Sequence, residues 1–297
     1  MKKNKPLNDL SKLGELFGGN PIGVKSDERS SKVTAMNTNC PNLGWLFFKA
    51  YYQGLSAKVI DMKNEKKQEE FFKEKNENIL NAQLRNYVGL LKLMDKYTAI
   101  RMKTTYPGLI MGTGVTHETG LKGEMKLGLN FDYTTGLPYI PGPSVKGILR
   151  SVFPGSSTKA DKDFKEARTS YIQDILDNKE INVEELEVEI FEGKGCESIY
   201  GRDIFMDAII IEAPNSGKFL GSDYITPHTT NPLKNPTPIM FLKILPEVTI
   251  AFNFRLNDSV TGIKADQKKH LFERILLDIG IGAKTNVGYG QLTSIKR

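Results

Sequence analysis

Apolar side chains recur at helical spacing in two stretches of the chain. In the range 64–96 they alternate with charged residues, which predicts a long amphipathic helix. The range 264–279 has the same pattern and would turn Leu271, Ile275 and Leu276 inward. A shorter helix is predicted over Ser144–Phe153, because Pro143 is well tolerated in a first turn.

Runs of alternating or β-branched apolar residues, bounded by turn residues, predict strands. The strands and short extended segments are Tyr97–Tyr106, Leu137–Pro141, Ile204–Glu212, Ile239–Leu245, Val248–Leu256 and Gln291–Ile295. From residue 97 onward the main order is strand, helix, strand, one or more strands, helix, strand. This βαββαβ order predicts an α+β fold of the ferredoxin-like (RRM-like) kind, with insertions.

The remaining segments divide the chain. Residues 97–297 are predicted to form one domain, and residues 1–96 a largely helical N-terminal extension packed on it. Within that extension a short helix is expected near Asp9–Phe17, and the aromatic-rich Asn42–Leu55 fits a buried strand or helix. Two segments are predicted as connections: Val115–Phe131, a loop or hairpin, and the proline-rich Pro227–Pro238.

Charge is unevenly distributed. Ser156–Glu197 holds twelve acidic and six basic residues, a net of −6 in a chain whose net charge is +6, so the rest carries +12. We expect this acidic insertion, residues 156–197, to face solvent or a protein partner. A basic body suits a polyanionic ligand, although a solvated surface with one acidic insertion explains the charge equally well.

Several classes of protein are not indicated. No apolar run approaches the roughly 18–20 residues of a membrane span, and the basic N-terminus lacks the apolar stretch of a signal peptide. Cys40 and Cys196 are far apart and form no metal-binding pair, so we expect no disulfide, no zinc site and no cofactor. Two reduced thiols are typical of a cytoplasmic protein.

The range 280–290 carries four glycines around a lysine, between the last predicted helix and the last predicted strand. Dinucleotide loops and P-loops both precede a helix, so this order excludes them. Glycines permit close backbone approach and exposed N–H groups that bind anions. Lys284, Thr285 and Asn286 add charge and hydrogen bonds, and Tyr289 could stack on a base. The alternative is a tight connection between helix and strand.

Two motifs carry a family resemblance. GIGAKTNVGYGQL, which starts at Gly280, resembles the C-terminal glycine-rich loop of the RAMP superfamily, the RNA-binding subunits of CRISPR effector complexes. YIPGPSVKGILR, which starts at Tyr139, resembles a second signature of that superfamily, with Pro143 where a serine is usual. Tyr200-Gly201 with Met206-Asp207-Ala208, and the stretch from Asp223 to His228, are similar to the subunit-six family of type III-B (Cmr) complexes.

The resemblance implies a ferredoxin-like core, a non-catalytic role in antiviral defence and binding of CRISPR guide RNA on its 3′ side. It also implies complementary target RNA and other Cmr subunits as partners, especially the backbone subunit four and subunit one, and no membrane. The predicted RNA-binding residues lie on the first core helix and in the glycine loop. They are Lys146, Arg150, Gly280, Gly282, Lys284, Thr285, Asn286, Gly288, Tyr289 and Gly290.

Two other functions stay open. Guide-processing members of the superfamily use a histidine as base, which makes His117 the candidate for a metal-independent endoribonuclease. His270 is expected to be exposed and His228 to brace its loop. The target-cutting subunits have an aspartate that has no counterpart here near Glu124. The candidate counterpart, Asp132, is displaced towards Pro138. A third possibility is a protein scaffold that does not contact RNA.

Overall fold

The computed structural model describes residues 42–55, 65–84, 98–112, 117–156, 161–193, 201–226 and 238–295. The α-helices are α1 (Leu43–Phe48), α2 (Glu65–Leu80), α3 (Gly142–Arg150), α4 (Lys162–Leu176), α5 (Val183–Glu187) and α6 (Ala265–Ile279). Three 3-10 turns (Ala50–Tyr52, Pro154–Ser156 and Thr285–Val287) and one π-helical turn (Val188–Glu192) complete the helical elements of this part of the chain.

The strands belong to two sheets. The larger sheet contains β1 (Thr98–Thr104), β3 (Tyr139–Ile140), β4 (Ile204–Phe205), β5 (Ala208–Glu212), β8 (Thr249–Arg255) and β9 (Leu292–Ser294). The smaller sheet contains β2 (Met125–Leu127), β6 (Leu220–Ile225) and β7 (Ile239–Ile244).

The larger sheet is antiparallel and has the order β3-β5-β8-β1-β9, with β4 beside β8. Helix α3 lies in the chain between β1 and β5, and α6 lies between β8 and β9. The four main strands therefore run β5-β8-β1-β9 across the sheet, which is the arrangement of a βαββαβ ferredoxin-like unit. The predicted fold class is confirmed.

The core forms where the two crossover helices meet the sheet. Helix α6 buries Leu271, Ile275 and Leu276, as its periodicity predicts, and Phe272 as well. Lys268 on the same helix is also buried, with Nζ 2.6 Å from Oδ2 of Asp203, and both side chains are 2% exposed. Leu43, Phe47, Phe72 and Ile79 from α1 and α2 join this same core cluster.

The acidic insertion is more closely integrated than expected. Its apolar side chains enter the core. The expectation that the segment faces solvent or a protein partner is therefore wrong for the apolar sides of α4 and α5. The buried residues are Ile172, Leu176, Ile181, Val183, Leu186, Ile190 and Phe191. Glu187 and Glu189 are buried as well and bind neighbouring segments through hydrogen bonds.

Other predictions differ at their boundaries. The helix predicted over 64–96 ends at Leu80, where Asn81 forms a turn and Gln83 bridges Lys218. The strand predicted over 204–212 is interrupted between β4 and β5. Asp9–Phe17, Cys40, Cys196 and the loop with His228 lie outside the described residues. No helix in the described ranges has both the length and the apolar character needed to cross a membrane.

Candidate nucleic-acid interface

A groove of about 380 Å³ lies where the two motifs singled out from the sequence meet. Helix α3 and its C-cap contribute one wall with Ser144, Gly147, Ile148 and Ser151, which share a face because of the helical period. Ile281, Gly282 and Ala283 from the start of the glycine loop form a second wall. The remaining lining residues are Met111, Gly112, Asn130, Ile140 and Pro141. The fold thus brings the two predicted motifs to one site.

The glycine loop is joined by backbone contacts to the segment after β1. The Ala283 N–H donates to the Ile110 carbonyl at 2.8 Å, and the Gly290 N–H donates to the Gly108 carbonyl at 2.8 Å. Gly290 has φ +70° and a Cβ there would collide with the Ile281 carbonyl oxygen, while a Cβ at Gly282 would collide with that of Ile110. These glycines are required by backbone packing, so the number of glycines alone does not indicate binding.

The exposed tip of the loop carries the residues that suit an anion. Lys284 is exposed and has φ +62°, in the left-handed region that costs a non-glycine residue about 1–2 kcal/mol. It precedes the 3-10 turn Thr285–Val287, and Asn286 in that turn is exposed too. Within the described ranges no acidic side chain pairs with Lys284. The tip therefore presents an uncompensated positive charge beside the groove.

Gly280 and Gly288 complete the set of predicted loop residues. Gly280 follows α6 and packs against the backbone of Gly290, so it closes the base of the loop. Gly288 ends the 3-10 turn with φ +95° and lies close to Pro107. Both shape the loop and neither lines the groove.

Tyr289 is held by the smaller sheet. Its hydroxyl donates to Oδ2 of Asp223 at 2.8 Å, and Lys243 Nζ lies 2.7 Å from the same oxygen. Lys243 Nζ also lies 5.6 Å from the centre of the Tyr289 ring. Burial and the Asp223 carboxylate raise the pKa of Tyr289 to about 12. With its hydroxyl bonded and the lysine over its ring, Tyr289 serves first as an anchor of the loop.

Lys146 and Arg150 lie on a different side of α3 from the groove. Arg150 Nε is 3.0 Å from Glu187 Oε1, and its Nη2 is 2.9 Å from Glu192 Oε1. The hydrogen bond to Glu192 is the main cause that raises the pKa of Arg150. Lys146 Nζ lies 5.7 Å from the centre of the Phe205 ring. Neither residue thus lines the groove beside the glycine loop, and Arg150 is neutralised within the chain.

His117 is enclosed by aromatic rings. It is 5% exposed and stacks on Phe47 with ring centres 4.1 Å apart, beside Tyr51 and Tyr52. Its Nε2 lies 3.1 Å from the Phe47 carbonyl oxygen, which can only accept, so this nitrogen carries the proton. Burial lowers the pKa of His117. Action of His117 as a base on an RNA 2′-hydroxyl would therefore require the ring to leave these aromatic surroundings.

Two carboxylates of the segment between β1 and β3, Glu124 and Asp132, have structural partners. Glu124 accepts hydrogen bonds from Tyr52 Oη, Thr119 Oγ1 and the Gly120 N–H. Asp132 accepts from the Thr135 N–H at 2.6 Å and closes a turn. Among the residues that the structure describes, no group of three or more His, Cys, Asp or Glu side chains is arranged to hold a metal ion.

Part of the groove is not indicated by the motifs of the sequence. Ser144, Gly147 and Ser151 are small residues on one helical face, and their spacing could have indicated a surface open to close approach. Met111, Gly112 and Asn130 enter the site through the fold alone, since they lie in separate segments between β1 and β3. No local pattern distinguishes them.

The comparison with known proteins supports the family resemblance. A protein-family model described as the RAMP superfamily matches residues 101–293. The chain belongs to the RAMP superfamily. The matched RAMP region runs from β1 to β9 and contains every described wall of the groove.

Individual proteins that resemble this RAMP protein share only modest sequence identity with it. The chain is 26% identical to the CRISPR system Cmr subunit Cmr6 of Pyrococcus furiosus (strain ATCC 43587 / DSM 3638 / JCM 8422 / Vc1), over 69% of this chain and 71% of that protein. It is similar to a chain in the cryo-EM structure of type III-B Cmr-beta bound to cognate target RNA, with 24% identity, 88% and 93% coverage of the two chains and a TM-score of 0.49. It is also similar to the crystal structure of Cmr6 from Pyrococcus furiosus, with 20% identity, coverage of 67% of this chain and 97% of that chain, and a TM-score of 0.43.

Proposed function

We propose that this RAMP protein is a non-catalytic guide-RNA-binding subunit of a type III-B CRISPR (Cmr) effector complex that acts in antiviral defence. In this role it holds the 3′ side of the guide, near complementary target RNA, and contacts other Cmr subunits, with subunits one and four as the expected neighbours. The observation that carries the proposal is the groove between α3 and the glycine loop, with Lys284 at its edge.

The exposed edge of this groove suits the backbone of a single strand. Ser144 and Gly147 are exposed and short, so a sugar–phosphate chain can approach the helix closely. Lys284 and the exposed Asn286 supply a charge and hydrogen bonds without reading a base edge. Binding of this kind depends on phosphate neutralisation, so it is strong at low salt and nearly independent of sequence.

The acidic insertion also favours this placement of RNA. Arg150 on α3 is paired with Glu187 and Glu192, so the insertion neutralises the side of the helix away from the groove. The carboxylates of α5 would repel phosphates there. RNA is therefore directed to the Ser144–Ser151 face, where none of the described lining residues is acidic.

Gly147 offers a direct test of this function. A Cβ placed on Gly147 meets no atom within 4 Å, so a longer side chain fits there and extends beside the groove. Gly147→Glu is expected to weaken binding of labelled single-stranded RNA at least tenfold, because a carboxylate would stand where phosphates pass. Gly147→Ala is the matched control and should keep the affinity of the wild-type protein.

Replacement of a mid-helix glycine stabilises a helix by about 0.5–1 kcal/mol, so neither variant should unfold more easily than the parent. Loss of RNA binding by Gly147→Glu with an unchanged or higher Tm supports the proposal. Equal affinity of Gly147→Glu and Gly147→Ala for RNA would contradict the groove as the RNA site, and no RNA binding by the wild-type protein would favour the scaffold hypothesis.

A further inference from the structure

The groove contains a polar side chain that forms no hydrogen bond with any described residue. Asn130 is 8% exposed and lines the groove. Its backbone carbonyl accepts the Tyr139 N–H at 3.0 Å, but its side-chain amide has no hydrogen-bond partner in the described part of the chain. Buried amides without a partner are unfavourable and uncommon, so this amide is well placed to bind a ligand.

The amide is not sealed inside the protein. The fully enclosed polar atoms that lack a partner, within the described ranges, lie on other side chains, such as His117 and Arg255. Asn130 therefore keeps part of its amide open to the groove that it lines. An Asn amide offers both an acceptor and two donor hydrogens.

The rest of the groove suits a flat, uncharged ring. Apart from Asn130, Ser144 and Ser151, its walls are apolar side chains and glycine backbone, and none of the described lining residues is charged. The apolar residues are Met111, Ile140, Pro141, Ile148, Ile281 and Ala283, and the glycines are Gly112, Gly147 and Gly282. A volume of about 380 Å³ is near the lower end of the roughly 300–1,000 Å³ that is typical of ligand sites. A phosphate would find no counter-charge among these walls.

We propose that the groove takes one unpaired nucleobase of single-stranded RNA and that the Asn130 amide hydrogen-bonds its edge. The proposal rests on the proposed function and names the part of the RNA that enters. The ring would pack on the apolar walls, while the sugar–phosphate chain stays at the mouth, where Ser144 and Lys284 are exposed. Single-stranded RNA is commonly held in this way, with splayed bases bound through their edges and faces.

The test uses the full-length protein and a labelled single-stranded RNA of uniform sequence, together with a series in which one position at a time lacks its base. The wild-type protein should bind one member of the series about five- to tenfold more weakly than the parent RNA, which is the effect of losing one buried hydrogen-bonded ring. In Asn130→Leu, which has a similar volume without the amide, this difference should shrink to less than twofold.

The backbone hydrogen bond from Tyr139 does not involve the Asn130 side chain, so Asn130→Leu should fold, and its thermal unfolding checks this. Binding of the series of RNAs to the wild-type protein tests the base-pocket proposal independently of the variant. If every RNA that lacks a base binds as tightly as the parent, the base-pocket proposal is wrong and the proposed function still stands.

Two further outcomes overturn the inference. If the wild-type protein binds none of the RNAs, the proposed function fails, and the base pocket with it. If Asn130→Leu binds RNA normally but no longer assembles with a partner protein in the absence of RNA, the groove is a protein-docking site.

Discussion

The hydroxyl of Tyr289 donates a 2.8 Å hydrogen bond to the carboxylate of Asp223, which links the glycine loop to the smaller sheet. Asp223 lies on β6 and also accepts from Lys243 on β7. The loop is therefore held from two sides, by this bond and by the backbone of the segment Gly108–Ile110. The RNA binding that we propose at the loop would depend on a shape that these contacts maintain.

Tyr289→Phe should lower the free energy of unfolding by about 1–2 kcal/mol, because it leaves a carboxylate with one fewer donor and keeps the ring. We expect faster hydrogen exchange in the range 284–290 of this variant, measured by mass spectrometry. Tyr224→Phe is a suitable control, since Tyr224 is exposed on the same strand as Asp223. Exchange in the loop that is unchanged by Tyr289→Phe would show that the bond does not hold the loop.

The stability difference between the wild-type protein and Tyr289→Phe should depend on pH. Burial alone would raise the pKa of Asp223, but hydrogen bonds from Lys243 and Tyr289 outweigh it and hold the pKa below its ordinary value. The stabilisation is thus present above the unfolded pKa of about 3.9 and is lost as the pH falls through the lower folded pKa. Urea unfolding should give a constant difference from pH 5 to 9 that shrinks in stronger acid.

Arg150→Ala is predicted to affect stability more than RNA binding. It would leave Glu187, which is 2% exposed, without its guanidinium. We expect a loss of about 2–3 kcal/mol, somewhat less than for a fully buried pair because Arg150 is partly exposed. Lys146→Ala on the same helix is the matched control and should cost under about 1 kcal/mol. If the salt dependence of RNA binding changes in Arg150→Ala while the free energy of unfolding does not, this assignment of Arg150 is contradicted.

His117 is predicted to make the fold sensitive to mild acid. Its pKa is lowered by burial, so the unfolded chain binds a proton that the folded chain does not, from about pH 6.5 downward. Stability should therefore fall with decreasing pH in that window, by at most about 1.4 kcal/mol per pH unit. His117→Gln should remove this dependence, whereas His270→Gln, at an exposed position of α6, should keep it. An unaltered pH dependence in His117→Gln would show that His117 is not the group responsible.

The same histidine decides between the subunit and endoribonuclease hypotheses. Purified protein is expected to leave labelled guide precursor and target RNA intact, with or without Mg²⁺. Cleavage that disappears in His117→Ala would favour the endoribonuclease hypothesis and would require His117 to leave its aromatic surroundings.

The order of the core elements could be predicted because apolar periodicity directly reports burial on helices and strands. Strand β6 could not, since Gly221, Ser222 and Asp223 in its centre carry little strand signal and its stability comes from pairing with β7. For the same reason β2 is hidden in a segment predicted as a loop or hairpin, because it has three residues and pairs with a distant strand.

The candidate site was predicted in its parts and not in its arrangement. The glycine loop and the signature on α3 are local patterns, so the sequence shows them. Which side of α3 faces the loop is set by the packing of Val145 and Leu149 in the core. The pairing of Arg150 with Glu187 and Glu192 likewise depends on where the insertion folds. The presence of a basic residue in a motif is therefore weak evidence for RNA contact. The side of the helix on which that residue lies is stronger evidence.

The salt dependence of RNA binding by Lys284→Ala is the sharpest test of RNA contact at the glycine loop. Affinity of the full-length protein for labelled single-stranded RNA is measured over a range of salt concentrations, with Lys284→Arg as the control that keeps the charge. If Lys284 neutralises one phosphate, the slope of log K against log salt should fall by about 0.7 in Lys284→Ala, and affinity should drop alike for all sequences. Lys284→Arg should retain the slope of the wild-type protein. An affinity and slope that are unchanged in Lys284→Ala would contradict the account, because the exposed lysine of the loop would then not contact the RNA.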